Sequence, residues 1–147
     1  MTTHRLGVIM NGVTGRMGLN QHLIRSIIAI RDSGGVLLGN GDRMMPDPIL
    51  VGRDAEKIEG LAKRFNVTRW TTDLDAALRD ESDTIFFDAA TTQARPSLLT
   101  QAINAGKHVY CEKPIATNLG EAVDVLKLAA AKGLKHGTVQ DLSLIHI

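Results

Sequence analysis

A short stretch near residue 110 constrains the fold of this chain more than any other. Gly106 ends a helical pattern, and His108–Cys111 is predicted to be a short buried strand. An acid, an amine and a proline follow that strand at residues 112–114. Because open α/β sheets bind their ligands at the carboxyl edge, this charged turn is a candidate ligand site. A Lys-Pro turn after an edge strand is the alternative interpretation, and the rest of the chain argues against it.

Strand-like and helix-like segments alternate along the chain, which indicates parallel βαβ units and an α/β fold. The predicted strands lie at residues 6–10, 49–51, 67–71, 84–87, 108–111 and 135–140. The predicted helices lie at residues 17–31, 55–65, 74–78, 96–104 and 119–132. Residues 36–48 are rich in Gly, Asp and Pro, so we predict an inserted loop there, with at most one short strand at residues 36–38.

Length and composition indicate one domain with an ordinary core. The chain has 147 residues, of which 44% are hydrophobic and 22% charged. Its net charge of +1 gives no electrostatic reason to expect binding to nucleic acid or to a membrane. The single cysteine, Cys111, excludes an internal disulfide framework and is typical of a reducing compartment. With no signal-peptide pattern and no run of about 20 apolar residues, we expect a cytoplasmic protein.

The last six residues, 142–147, differ in character from the rest of the chain. They match the translation of a transposase end sequence used in sequencing libraries, so we interpret them as a foreign tail. A natural apolar strand is the alternative. On the first interpretation, the native domain occupies residues 1–141 and the open reading frame is truncated after Asp141.

A glycine-rich turn follows the first predicted strand and opens the first predicted helix, with the spacing G-x-x-G-x-x-G. Dinucleotide-binding turns use glycine for a tight turn, for close backbone approach to a pyrophosphate and for close packing of helix on strand. The helix N-terminus adds unpaired N–H groups and a partial positive charge. A plain glycine-containing turn is the alternative. We predict that the turn binds a cofactor through Gly12, Thr14, Gly15, Arg16, Met17 and Gly18.

The stretch at residues 105–114, Ala-Gly-Lys-His-Val-Tyr-Cys-Glu-Lys-Pro, resembles the AGKHVxxEKP signature of the Gfo/Idh/MocA family of nicotinamide-dependent oxidoreductases. With the glycine turn and the alternating elements, the resemblance covers residues 5–141. It implies an α/β Rossmann-type doubly wound parallel sheet of about six strands with helices on both faces. In that family an α/β substrate domain follows, and we expect it to be missing here.

The family resemblance also implies a function. It implies the cofactor-binding domain of an enzyme that transfers hydride between NAD(P) and a hydroxyl or carbonyl of a sugar-like or cyclitol-like substrate. Family members commonly add an Asp or His from the second domain, so we expect this fragment to be inactive. The expected partner is a small-molecule substrate, and the complete protein is expected to be a homo-oligomer.

The resemblance assigns roles to the turn at residues 112–114. It implies that Lys113 is the catalytic residue, lying near the nicotinamide and the substrate hydroxyl, where it assists proton transfer or polarises the carbonyl. Glu112 approaches the nicotinamide ribose, and Pro114 shapes the turn that aims Lys113. The bond before Pro114 is either cis or trans, which the sequence does not determine.

The chain departs from the family pattern after the fourth core strand, where Thr-Pro-Asn-x-x-His is absent. Thr91 and Thr92 are still candidates for backbone and hydroxyl contacts to the cofactor. Arg95 stands in place of the histidine, which implies an atypical pocket on this side. The alternative is that Arg95 is merely a solvated residue in the first turn of a helix.

The end of the second core strand bears on the choice between NADP and NAD. An acid there would bind the adenosine ribose and repel a 2′-phosphate. Gly52 falls where NAD-preferring members of the family carry the acid, and Arg53, which follows it, is suited to pair with a 2′-phosphate. NADP is therefore the preferred cofactor. A register error of two residues would make Asp54 the ribose acid and NAD the cofactor.

Two other functions stay open. A dihydrodipicolinate-reductase-like enzyme is suggested by the Gly-Arg-Met-Gly sequence at residues 15–18, although the paired-histidine motif of that family does not occur before Asp141. A non-catalytic dinucleotide-binding module is the second. We expect no metal site, because His4, His22 and His136 lack companions at ligand spacing.

Overall fold

The computed structural model describes residues 1–140, and within them seven strands form one sheet. The strands are β1 (Thr3–Asn11), β2 (Val36–Leu37), β3 (Arg43–Val51), β4 (Arg69–Thr71), β5 (Asp83–Asp88), β6 (His108–Cys111) and β7 (His136–Thr138). Six strands run parallel in the order β4-β3-β1-β5-β6-β7, and β2 pairs antiparallel with β3 on the side of β4. This is the order of a doubly wound Rossmann sheet, so the predicted fold class is confirmed.

Helices connect the strands and cover both faces of the sheet. The first helix, α1, is π-helical over Gly18–Ile28 and continues as an α-helix over Ala29–Asp32. The others are α2 (Ala55–Arg64), α3 (Leu74–Arg79), α4 (Arg95–Asn104) and α5 (Leu119–Ala131). Helices α1 and α2 lie on one face, and α3, α4 and α5 lie on the other.

The sheet therefore separates two apolar cores, and neighbouring residues of its strands point into different ones. Ile9 and Phe86 point towards α3, α4 and α5, whereas Met10 and Phe87 point towards α1 and α2. All four side chains are buried. The first core is completed by helix residues that include Leu78, Leu99, Ile103, Val125 and Ala129. The second is completed by helix residues that include Leu23, Ile28, Ile58 and Ala62.

The prediction of a loop at residues 36–48 is wrong for residues 43–48, because these residues belong to β3, which begins at Arg43. Pro46 and Pro48 favour a loop, since proline cannot donate a hydrogen bond within a sheet. The short strand predicted at residues 36–38 is present as β2. The strand prediction at residues 49–51 therefore found only the last third of β3.

The direction of the backbone explains why β3 tolerates two prolines. The Arg43 N–H donates to the Thr2 carbonyl at 2.9 Å, on the side of β1. Because strand positions alternate, the even-numbered residues of β3 present their N–H groups to the opposite side. On that side β2 pairs up to residue 44 and β4 pairs from residue 49. Pro46 and Pro48 lie between these pairings, where no strand among residues 1–140 needs their N–H groups.

Local caps mark the ends of helices α2 and α3. The Asp54 carboxylate accepts a hydrogen bond from the Lys57 N–H at 3.1 Å at the start of α2, and Asp73 accepts one from the Ala76 N–H at 2.9 Å at the start of α3. Asn66 has a φ of 51°, in the left-handed conformation that commonly ends a helix. The two βα connections are thus fixed by local hydrogen bonds.

No helix within residues 1–140 is long and apolar enough to cross a membrane. The predicted boundary at Asp141 and the predicted foreign tail at residues 142–147 lie outside the described residues. Both stay predictions.

Candidate functional site

A cavity of about 510 Å³ opens at the carboxyl ends of β3, β1 and β5. The chain leaves β1 towards β3 on one side, and it leaves the neighbouring strand β5 towards β6 on the other side. In doubly wound sheets this switch point is where ligands bind. Its lining consists of strand ends and the loops that follow them: Asn11, Gly12, Thr14, Gly15, Val51, Gly52, Arg53, Thr72, Leu74, Ala89, Ala90, Thr91, Ala94 and Leu98.

Two of the three glycines in the turn are required by their surroundings. Gly12 has a φ of 81°, and a Cβ added there would lie 2.6 Å from the backbone of Ala89 and Ala90. A Cβ on Gly18 would lie 2.4 Å from the Gly12 carbonyl oxygen. At Gly15 the nearest atom to an added Cβ is 3.4 Å away, an ordinary contact. The turn is therefore packed tightly against the start of α1 and against the loop after β5.

The start of α1 leaves backbone donors available. Of the residues that the structure describes, none caps this helix start with its side chain, and its first turn contains no acidic residue. The first N–H groups of a helix have no acceptor within the helix. Arg16 and Met17, predicted to contact a cofactor, lie here with exposed side chains and outside the cavity lining. The structure therefore does not bring these two predicted residues to the cavity.

The end of β3 presents Arg53, and not an acid, to the cavity. Arg53 is exposed and lines the cavity. A Cβ on Gly52 would lie 2.7 Å from the Ile58 side chain, so an acidic side chain at residue 52 would require Ile58 to move. Asp54 lies outside the lining, and its carboxylate is bound by the Lys57 N–H and, at 3.2 Å, by the Lys57 Nζ. The backbone hydrogen bond holds the Asp54 pKa below its ordinary value of 3.8.

The loop after β5 forms one wall of the cavity. Ala89, Ala90 and Thr91 line it. Thr92 is partly buried and lies outside the lining, so the structure separates the two threonines that the sequence grouped together. Thr91 alone of the pair faces the space that a ligand would occupy.

Arg95 is buried, with an exposed fraction of 2%, so the alternative that it is a solvated residue is wrong. Its guanidinium donates to three groups. Nε donates to the Asp88 carboxylate at 2.9 Å, Nη2 donates to the Ala90 carbonyl at 2.6 Å, and Nη1 donates to the Pro114 carbonyl. The position that departs from the family pattern is therefore tied to the cavity wall and to the turn after β6.

Asp88 pairs with Arg95 inside a saturated hydrogen-bond network. Asp88 is fully buried, and its second carboxylate oxygen accepts from the Asn11 Nδ2 at 2.8 Å and from the Ala90 N–H at 3.3 Å. Its backbone carbonyl accepts from the Glu112 N–H at 2.9 Å. The ends of β1, β5 and β6 are thus joined through one aspartate.

The turn at residues 112–114 lies beside the cavity wall but not in the cavity lining. Glu112 is buried: its Oε1 lies 2.5 Å from the His22 Nε2, and its Oε2 accepts from the Lys113 N–H at 3.1 Å. Lys113 and Pro114 are exposed, and the bond between them is cis. Because β6 pairs directly with β5, Lys113 lies one strand further along the sheet edge than Ala89 and Ala90.

Sequence reasoning missed several residues of this region. It judged His22 only as a metal ligand, and it did not consider Asn11, Asp88 or Thr72. The contact between Asn11 and Asp88 could have been predicted. Both residues directly follow predicted core strands, and parallel strands bring their carboxyl ends together at one edge of the sheet. No local sequence feature indicated the contact of His22, because its partner Glu112 is 90 positions away. Within residues 1–140, no group of three or more His, Cys, Asp or Glu side chains is placed to hold a metal ion.

The cysteine and the histidine next to the turn have structural contacts. Burial raises the pKa of the Cys111 thiol, which lies 3.8 Å from the Thr138 hydroxyl. His108 accepts a hydrogen bond from the Lys135 N–H at 3.1 Å through its Nδ1. These contacts support the interpretation of both residues as parts of the sheet.

Comparison with known families decides the relationship. A model of the Gfo/Idh/MocA oxidoreductase family, describing its NAD-binding Rossmann fold, matches residues 48–139. The chain belongs to the Gfo/Idh/MocA oxidoreductase family. Among curated members, it is similar to the D-xylose dehydrogenase of Paenarthrobacter nicotinovorans, with 46% identity over 134 residues that cover 91% of this chain and 34% of the relative.

Solved structures of two oxidoreductases share the fold of this chain. Levoglucosan dehydrogenase in complex with NADH and levoglucosan superposes with a TM-score of 0.76 at 22% identity, covering 92% of this chain and 35% of that one. A 3-ketoreductase from Actinomadura kijaniata in complex with NADP superposes with a TM-score of 0.68 at 19% identity, covering 88% of this chain and 35% of that one. These two proteins of similar fold were solved with NADH and with NADP, and this chain spans about a third of the length of each relative compared here.

Proposed function

We propose that this chain is the cofactor-binding domain of an oxidoreductase that acts on a hydroxyl or carbonyl of a sugar-like or cyclitol-like substrate, with NADP as the preferred cofactor. The observation that carries the proposal is the glycine turn at the switch-point cavity, where Gly12 and Gly18 leave no room for a Cβ. Glycine at these two positions lets the turn pack tightly against α1 and the loop after β5, and this packing leaves the backbone of Gly12 and Gly15 lining the cavity, as a dinucleotide-binding turn requires. The similarity to a D-xylose dehydrogenase supports the substrate class.

The residues at the cavity fit a nicotinamide dinucleotide. The uncapped N–H groups at the start of α1 are suited to the pyrophosphate, since they are donors at the positive end of a helix. Thr14 and Thr91 both line this cavity. A bound nicotinamide would supply the hydride-transfer chemistry, and the chain supplies the means of holding it. Gly52 and Arg53 at the end of β3 would hold the adenosine half, and the loop after β5 would hold the nicotinamide half.

Arg53 supports the preference for NADP over NAD. Its guanidinium is suited to a bidentate contact with a 2′-phosphate. The space behind Gly52 is filled by Ile58, and Asp54 is occupied by Lys57, so neither position offers a free acid to a ribose. A site with one arginine and no free carboxylate favours the additional phosphate of NADP.

Lys113 is the proposed proton-handling residue. Its Nζ is carried by an exposed side chain at the edge of the sheet, next to the β5 loop that walls the cavity. From there an ammonium can donate a hydrogen bond to a substrate carbonyl oxygen, or an amine can accept the proton of a substrate hydroxyl. The substrate itself would be held by a second domain, since the family members compared above are about three times as long. We therefore propose that this chain binds cofactor without turning over substrate. As the sequence suggests, we also propose that the complete protein is a cytoplasmic homo-oligomer.

Calorimetric titration of the 147-residue chain with NADPH, and separately with NADH, tests the proposal. Circular dichroism of the same sample establishes that it is folded. Tighter binding of NADPH supports both the dinucleotide site and the role of Arg53. Tighter binding of NADH supports the site and contradicts the preference for NADP. A folded chain that binds neither cofactor contradicts the proposed site.

A further inference from the structure

Arg95 connects two parts of the site that do not touch in sequence. Its guanidinium donates to the Ala90 carbonyl, in the cavity wall, and to the Pro114 carbonyl, in the turn that carries Lys113. The Asp88 carboxylate holds the same guanidinium through Nε. The rigid guanidinium of Arg95 therefore holds the cavity wall and the turn in a fixed position relative to each other.

The chemistry of arginine suits this geometry. A guanidinium has five N–H donors in a rigid plane, and it stays charged at any pH that the protein meets. Three of these donors are directed here to three different segments: the end of β5, the loop after β5 and the turn after β6. A lysine at residue 95 has a single nitrogen on a flexible stem, so it can neutralise Asp88 without holding both carbonyls in place.

Stability alone is a weak reason to bury this ion pair. Asp88 is fully buried and Arg95 is 2% exposed, so both charges are removed from water. Replacing a buried ion pair by apolar residues is often neutral or stabilising, because the cost of desolvation offsets the attraction. The position of the two accepting carbonyls, one beside the cavity and one beside Lys113, suggests a role in the geometry of the site.

We propose that Arg95 is a positioning residue, which fixes the turn at residues 112–114, and with it Lys113, against the cofactor cavity. This inference rests on the proposed function, because it assumes that Lys113 handles the proton. A displacement of about 1 Å in a reacting group can lower a rate about a hundredfold. Loss of one anchor of the turn should therefore affect turnover more than cofactor binding.

The experiment uses the full-length protein to which this chain belongs, with the variants Arg95→Lys, Lys113→Met and the two combined. Turnover, KM and the dissociation constant of NADPH are measured for each. The matched control is Arg69→Lys, because Arg69 also pairs with a fully buried aspartate of β5, at the opposite end of the strand. Its partner is Asp83, which lies away from the cavity.

If Arg95 acts through Lys113, Arg95→Lys lowers kcat about tenfold or more while the NADPH dissociation constant stays within about twofold. In the Lys113→Met background, Arg95→Lys causes no further loss, because the group that it positions is gone. Arg69→Lys leaves kcat unchanged. These three results together support the inference.

Other results overturn it. Equal losses from Arg95→Lys in both backgrounds mean that Arg95 does not act through Lys113. An Arg95→Lys protein that does not fold, or that loses NADPH binding together with turnover, makes Arg95 a structural residue of the core. Failure of the proposed function looks different, since Lys113→Met then leaves turnover unchanged or the parent protein shows no nicotinamide-dependent activity.

Discussion

The imidazole of His22 lies 2.5 Å from the carboxylate of Glu112, so α1 contacts the turn that follows β6. The His22 ring also packs on Phe87, with 4.5 Å between ring centroids. On the other face of the sheet, Arg95 at the start of α4 binds the Pro114 carbonyl. The turn carrying Lys113 is therefore held from both faces, by helices that pack into different cores.

His22→Ala should destabilise the domain, because it leaves the buried Glu112 carboxylate without its side-chain partner. We expect a loss of about 1–3 kcal/mol in the free energy of unfolding, measured by urea denaturation at neutral pH. His136→Ala is the control, since His136 is exposed. Equal stability of the two variants would mean that the His22–Glu112 contact contributes nothing.

Arg53→Ala should weaken NADPH binding by about 1.5–3 kcal/mol and leave NADH binding unchanged, because only NADPH carries the 2′-phosphate. Calorimetric titration of both cofactors measures the difference. Arg64→Ala removes another exposed arginine, at the end of α2 and outside the cavity lining, so it should change neither affinity. Equal losses for the two cofactors in Arg53→Ala would assign Arg53 another role.

Gly18→Ala should disrupt the cofactor turn, because the added Cβ would lie 2.4 Å from the Gly12 carbonyl oxygen. We expect a loss of about 1–3 kcal/mol in the free energy of unfolding, together with weaker cofactor binding. Gly60→Ala in α2 is the matched control: no described atom lies within 4 Å of its added Cβ. It should stabilise the domain by about 0.4–1 kcal/mol. A Gly18→Ala protein as stable as Gly60→Ala would be incompatible with the close packing described here.

Asp54 should make stability depend on pH at the acid end of the scale. Its folded pKa lies below the ordinary value of 3.8, because its carboxylate accepts the Lys57 N–H at the start of α2. The stabilisation is therefore complete above pH 3.8 and is lost as the pH falls through the lower folded pKa. Asp54→Asn keeps the accepting oxygen and removes the charge.

The measurement is the difference in free energy of unfolding between wild type and Asp54→Asn across acidic pH. Wild type should be more stable above pH 3.8, and the difference should shrink as Asp54 becomes protonated. If the difference in free energy of unfolding did not change with pH, the charge of the Asp54 carboxylate would not contribute to stability. The same variant should bind NADH like wild type, whereas selective loss of NADH binding would restore Asp54 as the ribose acid.

Local signals in the sequence were sufficient for most of the fold. Helix α4 begins with proline in its first turn, and β6 was predicted with its observed bounds, because helix end, strand and turn are adjacent in the chain. The glycine turn was found from spacing and from its place between strand and helix. Such features depend on residues that are adjacent in the chain, and they can therefore be predicted from the sequence.

The remainder depended on contacts between distant segments. The burial of Arg95 requires Asp88, Ala90 and Pro114 to meet, and Pro114 is 19 positions away. A helix-start arginine carries no local sign of such partners, so solvation was an equally reasonable interpretation. The pairing of β3 with β1 likewise overrides the loop preference of its prolines.

Those two prolines have a further consequence for the behaviour of the isolated domain. Between the segments of β3 that pair with β2 and with β4, the backbone positions facing away from β1 are the buried Pro46 and Pro48, neither of which has an N–H to offer. The Pro46 carbonyl is already engaged by the Arg31 Nη1 at 3.3 Å. A strand from another molecule approaching this gap would find neither a free donor nor a continuous row of acceptors. The same prolines that obscure β3 in the sequence thus protect this stretch of the sheet edge from intermolecular aggregation.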